Sequence, residues 1–324
     1  MKAVRIHRYG GPEELVVDEI ERPAPGPGQA LVRLLAAAVN PIDVAVREDR
    51  FPTPKAPPKT LGSDGAGVVE ALGPETSGVA VGDEVFFTGL GVGSEGSYAE
   101  YALIAAAQAV PKPASLSFPE AASLGLAFAT AHYALIRRAA LQAGETALIQ
   151  GAAGGVGSAS AQLAKALGAR VIATVGSADD AAFVAGLGAD ETIDYRSQDV
   201  AAVIRELTDG RGVDVVHELH VSANLPADLA LIARGGRIVC TGQGPRPEVE
   251  VSIGAALAVD ATLLFMSTSN AGRAGVAESL RAVAAMVEAG TVRPVVGLTF
   301  PLAAARAAHE ALAGRHQGKI VLVT

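Results

Sequence analysis

The sequence predicts an α/β protein in two parts, a β-rich N-terminal region and then a parallel, doubly wound sheet. Short apolar runs bounded by Gly, Pro and Asp turns fill roughly the first 120 residues. From about residue 117, helical patterns alternate with short β-branched runs, the signature of strand–helix–strand units. A glycine-rich turn at 151–157 then joins one such run to a helix. With 324 residues, 50% of them hydrophobic, the chain can bury a sizeable core in roughly two domains.

In order along the chain, residues 31–36, 66–71 and 84–88 read as strands, separated by turns such as Pro25-Gly26-Pro27-Gly28 and Val81-Gly82-Asp83. Their spacing suggests a small barrel or a pair of packed sheets. Pro52, Pro54, Pro57 and Pro58 make 51–58 an extended surface loop. The apolar stretch 121–136 is interrupted by Thr130 and His132 and stops at Arg137, too short to span a bilayer. Strands follow at 146–150, 170–175, 191–194, 213–217 and 237–241, with helices between them. After residue 274 come a helix to 289, a strand at 295–300, a helix at 303–313 and a last strand at 319–323.

Composition removes several functions. Acids outnumber Lys and Arg 34 to 26, a formal net charge of −8, so the basic face of a nucleic-acid binder is not expected. The only cysteine, Cys240, allows no intrachain disulfide and no Cys-based zinc site. The charged start, Met1-Lys2-Ala3-Val4-Arg5, lacks the apolar run of a signal peptide, so a cytoplasmic protein is expected. Single side chains read plainly. Asp43 suits a structural hydrogen bond, Tyr98 and Tyr101 packing, His132 a buried apolar helix, Arg47 solvent, and Cys240 a small buried site. No Ser-His-Asp or paired-carboxylate constellation is recognisable.

The chemistry lies in the glycine turn. Thr146-Ala147-Leu148-Ile149-Gln150 runs into Gly151-Ala152-Ala153-Gly154-Gly155-Val156-Gly157, followed by a helix and a second strand, Arg170-Val171-Ile172-Ala173-Thr174-Val175. Glycines there permit a tight turn and let backbone N–H groups approach a pyrophosphate at the helix N-terminus. NAD sites usually carry an acid ~20 residues on, to bind the ribose 2′-hydroxyl. Here that position is Gly176, followed by Ser177, which favours NADPH; Asp179 and Asp180 oppose it.

Ordered motifs extend this over the whole chain: Asn40-Pro41-Ile42-Asp43, Leu61-Gly62-Ser63-Asp64-Gly65-Ala66-Gly67, Gly82-Asp83-Glu84-Val85, Gly96-Ser97-Tyr98-Ala99-Glu100-Tyr101, Gly235-Gly236-Arg237-Ile238-Val239 and Gly318-Lys319-Ile320-Val321-Leu322. The sequence resembles the zinc-free medium-chain dehydrogenases/reductases, in their quinone oxidoreductase, zeta-crystallin-like branch. The resemblance implies a GroES-like β-barrel domain, residues 1–120 completed by 290–324, and a Rossmann NADPH-binding domain at 121–289. Zinc relatives carry Gly-His-Glu where this chain has Gly62-Ser63-Asp64, and no metal ligand is expected.

By resemblance, Asn40 and Thr130 position the nicotinamide, and Phe51 stands at the substrate's mouth. Ala153, Gly154, Gly155, Val156 and Gly157 form the pyrophosphate turn, while Gly176, Ser177 and Tyr195 surround the 2′-phosphate. Asn224, Thr241, Gly242 and Gln243 line the cofactor site further along the chain, with Phe265, Met266, Ser267 and Lys319. Some bacterial quinone reductases of this type have tyrosines at the positions of Ala45 and Phe51, and Lys at that of Asp180. The implied reaction is NADPH-dependent reduction of a quinone; the alternative is a 2-alkenal or enoyl-thioester reductase acting on another α,β-unsaturated carbonyl. A different class is a non-catalytic NADPH-binding or RNA-binding protein. A homodimer is implied, paired through the apolar strand 261–266.

Overall fold

A computed structural model describes all residues, 1–324. In chain order it contains β1 (Lys2–Ile6), β2 (Val16–Glu19), β3 (Gln29–Val39), α1 (Pro41–Arg47), β4 (Lys59–Thr60), β5 (Gly65–Leu72), β6 (Glu84–Phe87), β7 (Tyr101–Ala105), β8 (Val110–Pro111) and α2 (Phe118–His132). Next come β9 (Thr146–Ile149), α3 (Gly155–Ala166), β10 (Arg170–Val175), α4 (Ala178–Ala185), β11 (Glu191–Asp194), α5 (Val200–Leu207), β12 (Val213–Glu218), α6 (Val221–Asp228), β13 (Ile232–Cys240), α7 (Ile253–Ala258) and β14 (Thr262–Phe265). The chain closes with α8 (Gly272–Glu288), β15 (Val296–Pro301), α9 (Ala305–Leu312) and β16 (Lys319–Val323). It divides into two compact units, 1–129 with 271–324, and 130–270.

In the first unit, β15-β16-β3-β5-β6-β8 form one sheet, with β7 also on β3, and β2-β1-β4 form a second. The long β3 leaves only Gln29, Arg33 and Leu35 half-buried and is buried on both faces from Ala36 to Val39. That turn to full burial is where β16 pairs with it, Ile320 opposite Val39. Val4, Ile6, Val39, Leu61, Tyr98, Ile320 and Leu322 share one core under this junction.

The second unit is a six-stranded parallel sheet in the order β11-β10-β9-β12-β13-β14. Strand order therefore reverses between β9 and β12, and in such sheets ligands bind beyond the carboxyl ends of the strands at that reversal. Leu148, Ile172, Ile193, Val216 and Ile238 form its core.

Most expected elements fall within a residue or two of their places. Three differ. β13 begins at Ile232, not 237, because Ile232 pairs with Val213 before a register shift around Gly235 (φ +74°) lets Arg237 pair with Val215. α8 groups with the first unit, on the far side of the boundary expected at 289. Its Glu288 accepts a hydrogen bond from the Ala114 N–H at 2.8 Å, and Arg281 reaches the Ala107 carbonyl. The apolar stretch 121–136 is α2, broken at Gly125, running into a π-helical turn at Tyr133–Arg138. No helix is long and apolar enough to cross a membrane.

Candidate active site

The first unit gathers its polar side chains around Asn40. β3 ends at Val39, Asn40 stays extended, and Pro41 opens α1 at the position where its missing N–H costs nothing. The Asn40 backbone N–H donates to Asp43 Oδ2 at 2.9 Å, fixing the start of the helix. Its side-chain amide donates to Asp64 Oδ2 (2.8 Å) and to the Ala38 carbonyl (3.2 Å), and accepts from Lys319 Nζ (2.5 Å). Lys319 also donates to the Val39 carbonyl at 2.8 Å and lies 3.8 Å from Asp64. Burial pushes the Asp64 carboxyl up and the Lys319 ammonium down, and each group's charge opposes the shift of the other.

Asp64 depends on the break in α2. Its Oδ1 accepts from the Leu126 N–H at 2.8 Å, a donor freed where Gly125 leaves helical geometry (φ −13°, ψ −119°). A Cβ at position 125 would sit 2.3 Å from the Asp64 carboxyl carbon. Glycine is required there because the carboxylate occupies the place of a side chain.

A second line of bonds runs from Asp43 inward. Its oxygens accept from Ser63 Oγ (3.0 Å) and Tyr98 Oη (2.9 Å). Arg47 can only donate, so His309 Nδ1, 2.9 Å from Arg47, is the acceptor, and the ring proton sits on Nε2, 3.2 Å from Tyr98 Oη. Every bond direction is thus set from Arg47 through His309 and Tyr98 to Asp43. Burial, then the Asp64 charge, push the Asp43 carboxyl up to about 6; burial, then Arg47, hold His309 down at about 3, neutral. Asp43 makes the structural bonds expected of it. Arg47 overturns its solvated reading: it is 2% exposed, bonded to the Gly10 carbonyl, His309 and Glu48. Tyr98 packs as expected but also spends its hydroxyl in this line. Sequence reasoning missed the roles of Asp64, Ser63 and His309; His309, alone on an amphipathic helix, gave no signal. Phe51 packs at the edge of the same core, its N–H on the Ala45 carbonyl at 3.2 Å.

In the second unit, Gly151 (φ +60°) turns the chain out of β9. Its N–H donates to Thr174 Oγ1 (2.9 Å), the Ala152 N–H to the Thr174 carbonyl (2.9 Å), and the Thr174 hydroxyl to Gln150 Oε1 (2.7 Å). Ala153 and Gly154 complete the turn. α3 starts at Gly155, so the N–H groups of Gly155, Val156 and Gly157 have no partner within the helix. A Cβ on Gly157 would lie 2.4 Å from the Gly151 carbonyl oxygen, so only glycine lets α3 pack this close. These amides and the helix dipole fit a pyrophosphate.

At the end of β10, a Cβ on Gly176 would lie 2.9 Å from Tyr195 Oη and 3.4 Å from Arg196 Nε. A phenol and a guanidinium therefore flank this strand end. Ser177 caps α4, its Oγ accepting from the Asp180 N–H (3.2 Å), and Asp179 is exposed in that helix's first turn, where the dipole favours an acid. Beyond β12 and β13, Asn224 Nδ2 donates to Glu218 Oε1 (3.2 Å), Thr241 Oγ1 lies 2.9 Å from His217 Nε2, and the Gln243 carbonyl accepts from the Ser222 N–H. Gly242 passes so close to Leu219 that a Cβ would sit 2.0 Å from its carbonyl oxygen. Thr130 bonds Thr268 through their hydroxyls at 2.8 Å; Met266 donates to the Cys240 carbonyl, and the Ser267 carbonyl accepts from Asn270. Phe265 is exposed on the edge strand β14. Of the expected residues, Asn40 and Lys319 are bonded directly, and Gly176, Ser177 and Tyr195 share one strand end.

Residues 26–114 match the alcohol dehydrogenase GroES-like domain and 187–322 the family described as zinc-binding dehydrogenase. The human quinone oxidoreductase is 33% identical over 311 residues, 96% of this chain and 93% of its own. A solved NAD-dependent alcohol dehydrogenase superposes with a TM-score of 0.94 at 35% identity, covering both chains fully. The Escherichia coli quinone oxidoreductase complexed with NADPH gives 0.90 at 30%, again over the whole of both. The chain belongs to the medium-chain dehydrogenase/reductase family. Within it, the quinone oxidoreductase branch is its place, and it is an oxidoreductase.

Zinc, which the description of the C-terminal family implies, does not suit this family member's donor set. The metal takes thiolate, imidazole or carboxylate ligands. Here the Asn40 amide and Asp64 are turned on the Lys319 ammonium, and no group of three His, Cys, Asp or Glu side chains comes together to hold a metal ion.

Proposed function

We propose that this oxidoreductase reduces a quinone with NADPH as the hydride donor. The observation that carries the cofactor choice is the end of β10: Gly176 leaves room, and Arg196, Tyr195 and the Ser177 hydroxyl offer a cation and donors to a 2′-phosphate. Hydrogen bonds to a charged group contribute about 1.5–3 kcal/mol each, so two favour NADPH by tenfold or more. The cofactor, when bound, supplies the hydride. The protein holds the pyrophosphate on the amides that open α3. It also fixes Asn40, whose two amide hydrogens are already spent on Asp64 and Ala38, so that Asn40 offers a ligand only a lone pair of Oδ1. Quinones accept hydride without a Lewis acid, and alignment of donor and acceptor does much of the work.

Steady-state kcat/KM across a panel of quinones and enals, with NADPH and with NADH, tests this. Quinone turnover with NADPH preferred at least tenfold is expected; no turnover with any quinone would overturn it, and turnover of enals alone would turn the reading to the carbonyl-conjugated alkene. Gly176→Asp should lower NADPH efficiency by tenfold or more and NADH efficiency far less, because the new carboxylate takes up Arg196. Equal losses would mean that this strand end does not read the ribose.

A homodimer belongs to the same proposal. β14 is the edge of its sheet, Phe265 is 60% exposed, and Ile253 and Leu257 on α7 are 75% and 72% exposed. An apolar edge strand left open invites pairing with another chain, and a second copy brings the same strand to it. Light scattering at micromolar concentration should give twice the chain mass, and Phe265→Lys should shift it toward the monomer. A monomeric wild type would overturn the pairing.

A further inference from the structure

Beneath the strand-order reversal of the second unit, two carboxyl groups meet where none was expected to pair. Glu218 ends β12 and Asp228 lies on α6, both wholly buried. One oxygen of each is well served. Glu218 Oε1 accepts from the His220 N–H and from Asn224, and Asp228 Oδ1 accepts from Gln150 Nε2 at 2.8 Å. The other two oxygens, Glu218 Oε2 and Asp228 Oδ2, have no donor. Buried acceptors left unpaired are costly. One proton held between the two carboxyls satisfies both oxygens at once.

That proton is connected to the glycine turn. Gln150 spends its amide nitrogen on Asp228 and its oxygen on the Thr174 hydroxyl, so it cannot rotate without breaking both bonds. The Thr174 hydrogen therefore points to Gln150, which leaves the Thr174 oxygen to accept from the Gly151 N–H. We propose that Asp228, carrying the proton it shares with Glu218, is a positioning residue for the glycine turn, and that cofactor affinity falls when this proton leaves. The inference rests on the reading that the turn holds a dinucleotide pyrophosphate. Loss of the proton puts two like charges side by side, drives Asp228 from Glu218 and takes Gln150 and Thr174 with it.

The surroundings offer no cation to offset that second charge. β12 contributes His217, which is turned to Ser160 and Thr241; β13 contributes Cys240, its thiol pushed up to about 12 by burial and by both carboxyls. β9 and β10 bring only Gln150 and Thr174, while His220 presents its backbone N–H, and Arg246 bonds the Ser222 carbonyl at the start of α6. Burial, then Glu218, accordingly push Asp228 up to about 9.

The test is the Kd for NADPH, followed by its fluorescence from pH 7 to 10.5, in the full-length wild type, Asp228→Asn and Glu218→Gln. Asparagine copies the protonated acid, accepting from Gln150 and donating to Glu218. In wild type the Kd should rise tenfold or more across this range, while both variants stay flat, so that each holds NADPH at least tenfold more tightly than wild type at the alkaline end. A flat wild-type profile, or the same alkaline rise in both variants, would overturn the inference with the turn's role intact. No NADPH binding by wild type at any pH would instead remove the reading of the turn, and this inference with it.

Discussion

Replacing Lys319 by Met is expected to cost roughly 3–5 kcal/mol of stability, the usual result of breaking a buried ion pair from one side. The ammonium is the only cation among the bonds of the Asn40 cluster, and Asp64 beside it is completely buried. Methionine fills the volume but leaves the carboxylate uncompensated and the Val39 carbonyl without its donor. The loss should depend on pH. Asp64 is already raised above its unfolded value by burial, and without Lys319 it rises further. A carboxyl raised by folding contributes stability that is complete below the unfolded value of about 3.9 and disappears as pH climbs. The variant should therefore lie closest to wild type near pH 5 and furthest at pH 8. Adding Asp64→Asn to Lys319→Met should recover more than half of the loss, since it removes the stranded charge. Urea titrations of the three chains at both pH values measure this. A loss under about 1 kcal/mol, or one equal at both pH values, would show that water reaches the pair and screens it.

The pattern of these bonds explains what could be read from the chain alone. Strands such as β10 and β16 were legible to the residue because they are buried on both faces and read as nearly continuous apolar runs. The glycine turn was legible because its chemistry is local: a strand, seven residues and a helix fix it. β13 began five residues early because its first pairing, Ile232 with Val213, is set by a partner strand and a glycine bulge, which leave no periodic trace. The side-chain clusters were least legible. Asn40, Asp64 and Lys319 are 24 and 279 positions apart by their bonds to Asn40, and Arg47 reads as a surface residue until His309, 262 residues on, is packed against it. The paired carboxylates were missed for a related reason. Glu218 and Asp228 lie ten positions apart on different elements, a strand end and a helix, so no single element's period relates them, and only the packing of α6 beside β12 joins them.

That packing leads to the other large expected effect, in which a substitution in the core stabilises the protein. Asp228→Asn should raise stability at neutral and alkaline pH. Asp228 is held well above its unfolded value of about 3.9, near 9, by burial and by Glu218. Folding at neutral pH must therefore take up a proton, and the native state pays for it increasingly as pH rises. For a raised carboxyl the stability is fully present below the unfolded pKa and is lost through the window up to the folded one, here from about 4 to about 9, at no more than about 1.4 kcal/mol per pH unit. Asparagine presents the same acceptor to Gln150 and the same donor to Glu218 with no proton to acquire. The stability difference between variant and wild type should be small near pH 5 and grow to a few kcal/mol by pH 8. Urea titrations of both chains at pH 5, 6.5 and 8 check the slope. An Asn variant destabilised by the same amount at all three would mean that Asp228 is ionised in the native state and that a donor outside the pair satisfies its second oxygen. A difference that widens with pH would instead place one proton on the pair throughout the working range, which is the condition for Gln150, Thr174 and Gly151 to keep the bond directions seen in the fold.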